Sequence, residues 1–314
     1  MNKNAKIYVA GHRGLVGSAI ARELEKRGFS NIIVRSAKEL DLRVQADTDR
    51  FFGEEKPEYV FVVAAVVGGV LANMRGHARF LLENLQIGCN VIDSAYRHGA
   101  KKLLFLGSSC IYPKDAAQPM PESALLTGPL EPTNEGYALA KIAALKLCEY
   151  YNSQRGVPFI CAMPCNLYGP NDNFDLATSH MLPAFIRKFH EGKVKNAETV
   201  VVWGTGEARR ELMYSSDLAG ACLFLMENYS DSQFLNVGMG EDRKVSEIAE
   251  IVKDTVGFRG EIVYDRTKPD GVPRKLIDSG KIRALGWKPG FALEEGVRLT
   301  YDWYRENEKR ARGL

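Results

Sequence analysis

Short, uniformly apolar runs alternate with longer amphipathic stretches through the first half of the chain: 7–10 then 15–27, 32–34, 59–63 then 79–96, 103–106 then 137–154, and 159–163. Runs that are apolar on both sides of the pleat predict strands covered on both faces, as in a parallel sheet flanked by helices. The alternation therefore predicts an α/β fold built on a doubly wound parallel sheet. Beyond about residue 170 the rhythm loosens into 183–190, 200–203, 218–226, 245–256 and 294–304, separated by joints such as Lys268-Pro269-Asp270-Gly271. A smaller C-terminal α/β unit is expected there. The chain should divide into 1–170, with contributions from later segments, and 171–314, with the cleft between them as the ligand site.

Composition adds mainly exclusions. With 314 residues, 45% apolar and 26% charged, the chain is expected to be a soluble globular protein, and a net charge of +3 gives no reason to expect nucleic acid or a membrane surface as partner. The uncharged run 59–72 is shorter than the roughly 20 residues needed to span a bilayer and contains Gly68-Gly69, so it reads as a buried strand entering a loop. The first residues pass at once into the 7–10 strand without a signal-peptide pattern, and a cytoplasmic location is expected. The six cysteines, at 89, 110, 148, 161, 165 and 222, include no Cys-x-x-Cys pair; core thiols are expected, and no metal.

Directly after the first strand stands Gly11-His12-Arg13-Gly14-Leu15-Val16-Gly17, and a helix follows. Glycines in this place permit a tight turn, close approach of a pyrophosphate and packing of helix on strand, while the helix N-terminus attracts the anion: the Rossmann-type dinucleotide site. Where an NAD site carries a carboxylate, the second strand ends Val34-Arg35-Ser36 with Lys38 nearby. With Arg13, these cations suit the 2′-phosphate of NADP. The other reading makes Arg35 and Lys38 solvated surface cations, with Asp41-Leu42 beside the adenine edge.

Tyr137 and Lys141 are four residues apart, on one helix face, where an ammonium is expected to lower the phenol pKa and make it a usable acid or base. Upstream, Leu106-Gly107-Ser108 closes the fourth strand, at the sheet edge where open α/β folds bind ligands, and Ser108 is placed to hydrogen-bond a carbonyl that Tyr137 protonates.

In the order and spacing of Gly11 to Gly17, Ser108, Tyr137 and Lys141, the sequence resembles the extended short-chain dehydrogenase/reductases. Within that group it is similar to the GDP-L-fucose synthases at 11–20, 103–113, 130–141, 166–174, 179–183, 201–204 and 268–275. Gly-Ser-Ser-Cys-Ile-Tyr-Pro (107–113) and Pro-Asp-Gly-Val-Pro-Arg-Lys (269–275) are the most characteristic stretches. The resemblance implies an NADP(H)-dependent enzyme that epimerises C3 and C5 of GDP-4-keto-6-deoxy-D-mannose and delivers hydride to C4, yielding GDP-L-fucose. It implies Cys110 and His180 as the epimerisation pair, since protons next to a ketone are acidic enough for a thiolate to remove and an imidazolium to return. It further implies that Leu106, Gly107, Pro164, Cys165, Asn166, Leu167 and His180 border the cofactor. Lys188, Trp203, Arg210, Asp270 and Lys275 would bind the GDP-sugar, and a homodimer would pair the helices at 79–96 and 137–154.

Two positions depart from the family pattern, Ala37 in place of an arginine and Val67 in place of a lysine. Other readings are a GDP-4-keto-sugar reductase with little or no epimerase activity, one taking a dideoxy or heptose substrate, and a catalytically silent NADP-binding sensor or scaffold. A dehydratase is disfavoured, because Ser108-Ser109-Cys110 replaces the Thr-Asp-Glu arrangement such enzymes use.

Overall fold

The computed structural model describes residues 1–308 and 311, with the backbone alone at Val70 and Leu71. Positions 309–310 and 312–314 of the expected C-terminal unit lie outside the described residues. The first half runs β1 (Ile7–Ala10), α1 (Leu15–Lys26), β2 (Ile32–Ile33), α2 (Gln45–Glu55), β3 (Tyr59–Val62), α3 (Val70–Arg75), α4 (His77–Arg97), β4 (Lys102–Leu106), α5 (Glu135–Arg155) and β5 (Phe159–Pro164). It continues through β6 (Asn166–Tyr168), α6 (Met181–Val194), β7 (Thr199–Trp203), β8 (Arg209–Arg210), β9 (Leu212–Tyr214) and α7 (Ser215–Asn228). The last part is β10 (Leu235–Val237), β11 (Arg243–Lys244), α8 (Val245–Val256), β12 (Glu261–Asp265), β13 (Arg274–Lys275), α9 (Gly280–Ala284) and α10 (Leu293–Asn307).

Among the described residues six parallel strands form the main sheet in the order β2-β1-β3-β4-β5-β10. The four strands β1, β4, β5 and β10 are buried throughout, so their apolar runs follow from cover on both faces. Helices α1 and α7 pack together, as do α2, α4 and α5, giving a helical layer on each side. The chain leaves β1 toward β2 and returns past it to β3, so the strand order reverses between β1 and β3 and opens a crevice at their carboxyl ends.

Local signals set the helix limits. Helix α1 buries Ala19, Ile20 and Leu24 at helical spacing and stops at Gly28, whose φ is 78°. Helix α5 likewise ends at Gly156, whose N–H donates to Asn152 O at 3.0 Å.

The larger core, built on the main sheet, also takes in Leu218, Leu235, Ile277 and Trp287 from far down the chain. A second core gathers Phe174, Phe189, Val202, Ile248, Val252, Val297 and Tyr304 among α6, α8 and α10. Three smaller pairings frame it: β7 with β12, β6 with β9, and β8 between β11 and β13.

The 59–72 run differs from the expected strand and loop, because the chain re-enters a helix, α3, at Val70. Helix α2 buries only Thr48, Phe51 and Phe52, too few apolar positions for a periodic signal. Strand β10 is three residues long and has no pattern of its own; its neighbour β5 defines it.

Gly17 packs α1 onto the end of β1 so closely that a Cβ there would overlap the Gly11 carbonyl. Gly17→Ala should cost about 1–3 kcal/mol by overpacking, read as a lower urea midpoint with an unchanged m-value.

Candidate active site

The glycine loop lies at the carboxyl end of β1. Gly11 adopts φ 92°, and a Cβ there would come within 2.8 Å of the Ala64 backbone, so a side chain is excluded by conformation and by space. Gly14 N–H closes the turn by donating to Gly11 O at 3.0 Å, and Gly14 caps α1 without a side-chain hydrogen bond or an acid in the first turn. The Leu15, Val16 and Gly17 amides therefore begin the helix with its positive end toward the crevice. The His12 Nδ1 atom is buried without a hydrogen-bond partner among the described residues, and desolvation, then the Arg13 charge, keeps its imidazole below the usual pKa. A loop in which Gly11 and Gly17 admit no Cβ, with an orphaned ring nitrogen in it, fits a dinucleotide.

The cations meant for a 2′-phosphate are sorted unevenly. Arg35 is committed elsewhere: its Nη2 donates to Glu55 Oε1 at 2.7 Å and its guanidinium lies 5.6 Å from the Phe51 ring centre. Arg13 and Lys38 are exposed and form no salt bridge among the described residues. Glu39, which the Arg13 and Arg35 charges also reach, accepts from Ser36 N at 2.7 Å and Ser36 Oγ at 2.6 Å, and these bonds hold its carboxyl below the usual range. Asp41 pairs with Arg43 at 2.7 Å, and Leu42 is buried with its carbonyl bonded to Asn90.

At the end of β4 the structure brings together Leu106, Gly107, Ser108, Cys110, Tyr137 and Lys141. Lys141 Nζ donates to Leu106 O at 2.8 Å and stands 4.7 Å from the Phe105 ring centre and 5.7 Å from that of Tyr137. Gly107 leaves no space for a Cβ beside the Met163 sulfur. Ser108 Oγ accepts from Cys110 N at 3.4 Å.

Burial lowers the Lys141 ammonium to about 8. It raises the Tyr137 phenol above its ordinary value, with Cys110 adding to the rise. The expected lowering of the tyrosine by its lysine is thus corrected: desolvation dominates, and Tyr137 is held as a neutral phenol. Burial also raises the Cys110 thiol, while Lys275, Ser108 and Lys141 oppose that rise.

His180 caps the start of α6, exposed yet closely surrounded by protein, and desolvation followed by the Lys275 charge pushes it below the usual imidazole value. Its loop is tied to the one after β3: Gly69 N donates to Thr178 O at 2.9 Å, and Asn84 holds Val66 through both N–H and C=O at 2.9 Å. Val67, 45% exposed, stands between these ties. Sequence reasoning missed Asn84, since a lone asparagine on an amphipathic helix carries no signal of the loop it clamps.

In the second half, Trp203 is 51% exposed, with the Lys188 and Lys268 ammoniums 5.6 and 5.7 Å from its ring centre. Lys188 also donates to Val201 O at 3.0 Å. Lys275 is paired with Arg210 across β13 and β8, and among the described residues Arg210 donates to the carbonyls of Arg209, Val272 and Asp270. Their strand neighbours Arg209 and Arg274 share the buried Asp242. Asp270 gives its carboxylate to Thr205, at 2.7 Å to N and 2.8 Å to Oγ1, and so shapes the 204–206 turn.

Pro164 ends β5, Cys165 is buried with its N–H bonded to Val237 O at 3.2 Å, and Asn166 and Leu167 pair with β9. Lys275, assigned by sequence only to the GDP-sugar, is within electrostatic reach of Cys110, His180 and Cys165 as well.

The model of the NAD dependent epimerase/dehydratase family matches residues 7–238. GDP-L-fucose synthase 1 of Arabidopsis thaliana is 58% identical over 306 residues, covering 98% of this chain and 95% of the relative. The structure of a GDP-L-fucose synthetase from Naegleria fowleri bound to NADP superposes with a TM-score of 0.93 at 30% identity, over 99% of this chain and 96% of that one. A GDP-6-OMe-4-keto-L-xylo-heptose reductase from C. jejuni does so with 0.92 at 38% identity, over 98% and 99%. The glycine cradle, the Ser108, Tyr137 and Lys141 cluster and these full-length likenesses agree, and the chain belongs to the NAD dependent epimerase/dehydratase family.

Proposed function

We propose that this chain is an NADP-dependent epimerase-reductase that converts GDP-4-keto-6-deoxy-D-mannose to GDP-L-fucose. The observation that carries the reading is the convergence, at the end of β4, of a neutral Tyr137 phenol and a buried Lys141 with Cys110 and with the Lys275 charge that also reaches His180. Relatives named GDP-L-fucose synthase support the substrate.

The 11–17 loop holds the pyrophosphate on backbone amides, with His12 Nδ1 as a further polar contact, and Arg13 and Lys38 face the 2′-phosphate while Arg35 stays with Glu55. NADPH supplies the hydride when bound. Asp41 and Leu42 border the adenine side; Leu106, Gly107, Pro164, Cys165, Asn166 and Leu167 wall the nicotinamide side.

Ser108 and Tyr137 bind the C4 oxygen. Tyr137 gives its proton to the developing alkoxide, and the Lys141 charge offsets the negative charge left on the phenol. Cys110 and His180 exchange the protons at C3 and C5; Lys141 and Lys275 favour the Cys110 thiolate against its burial. Trp203, flanked by Lys188, offers a flat face to the base, Arg210 and Lys275 take the diphosphate, and Asp270 orders the adjoining turn.

Residues 1–170 with later additions then form the cofactor unit, and 171–314 mainly the sugar-nucleotide unit. A homodimer through α4 and α5 accounts for Leu82, Leu139 and Tyr150, which are 57, 42 and 55% exposed on that helix pair. No described helix is long and apolar enough to cross a membrane, and we assign the protein to the cytoplasm. The second reading, a reductase without epimerase activity, is favoured by the likeness to the heptose reductase.

In deuterated water, product from the unaltered protein should carry deuterium at C3 and C5 by NMR; product without it would leave only the reductase reading. Cys110→Ser should slow that exchange by about 10²–10⁴, and Tyr137→Phe should slow NADPH oxidation by a similar factor while exchange continues. Because burial lowers the Lys141 pKa, the unfolded chain binds more protons between about pH 8 and the ordinary lysine value, so stability gains with rising pH in that window. Lys141→Met lacks this gain, and its melting temperature relative to the unaltered protein should fall from pH 8 to pH 10. Leu139→Arg should shift sedimentation from dimer toward monomer.

A further inference from the structure

Arg210 and Glu211 are chain neighbours with opposite surroundings. Arg210 is half-buried and, among the described residues, bonded to carbonyls, whereas Glu211 is 1% exposed. Glu211 accepts from two segments far apart in sequence: Gly240 N donates to Oε1 at 2.8 Å and Ile277 N to Oε2 at 3.0 Å. Its own N–H donates to Lys275 O at 3.3 Å, so this one residue grips the segment carrying Lys275 through the carbonyl of 275 and the amide of 277. Gly238 makes room for the carboxylate, since a Cβ there would overlap Oε1. The carboxylate forms no salt bridge among the described residues.

A carboxylate taken out of water costs far more than an apolar side chain of the same size, and here it is compensated by backbone amides. An apolar residue would fill the space but leave the two amides unpaired and β13 free to drift from β8. We propose that Glu211 is a positioning residue that fixes the spacing of the Arg210 and Lys275 cations and thereby the affinity for the substrate's diphosphate. This role rests on the reading of that cation pair as the diphosphate site.

Two variants test it at pH 8, where the carboxyl, which burial pushes up to about 7, is ionised. Glu211→Gln keeps the size but offers one acceptor; Glu211→Asp keeps the charge but is one methylene short of both amides. By calorimetry on the full chain, both should weaken GDP binding about tenfold while NADPH affinity holds, and the kinetic loss should fall on KM more than on kcat. Unchanged GDP affinity, however far the melting temperature drops, would overturn the proposal, as would equal weakening of GDP and NADPH. Failure of both variants to fold would mark Glu211 as purely structural and also overturn it. If the unaltered protein bound no GDP, the diphosphate reading itself would fall, and this role with it.

Discussion

A lysine ammonium that is 4% exposed is expensive to keep in a protein interior, and Lys141 is kept there by its bond to the Leu106 carbonyl and by the Phe105 and Tyr137 rings. That bond ties α5 to the end of β4. It aligns the helix bearing Tyr137 with the strand end bearing Ser108 and Cys110, so the geometry of the reaction centre depends on it. The cost appears in the ammonium's own lowered pKa and in the raised values of the tyrosine and thiol beside it. A pocket dry enough to do this also strengthens each charge within it.

The second half handles charge by sorting. Four cations lie on two paired strands, and the buried Asp242 takes Arg209 and Arg274, while Arg210 and Lys275 form no salt bridge among the described residues. Alternation along the strands places the two pairs on opposite faces. Arg210 and Lys275 thus share one face of a segment whose other face is neutralised. Lys275 is within electrostatic reach of Arg210 and also of Cys110 and His180, so these groups share one electrostatic environment.

The cofactor loop shows how far sequence reasoning reaches when the constraint is local. Gly11 has a conformational reason and Gly17 a steric one, both visible within seven residues of chain and its strand-to-helix junction. Arg35 shows the opposite: its charge was legible, but its partner Glu55 is 20 residues away on α2, a helix with almost no apolar periodicity.

Much of this protein is determined by its sequence alone. Uniformly apolar runs produce the parallel sheet, helical spacing produces α1, α4 and α5, and the placement of glycine, serine, tyrosine and lysine marks the crevice and its chemistry. Only tertiary structure decided that β10 completes the sheet, that Asn84 and Glu211 hold loops distant in sequence, and that burial raises rather than lowers the Tyr137 pKa. The physical reason is common to these cases. A short strand is defined by its neighbour, a clamp by the backbone it reaches, and a pKa by the water removed around it. None of those is a property of the residue or of its place in the chain.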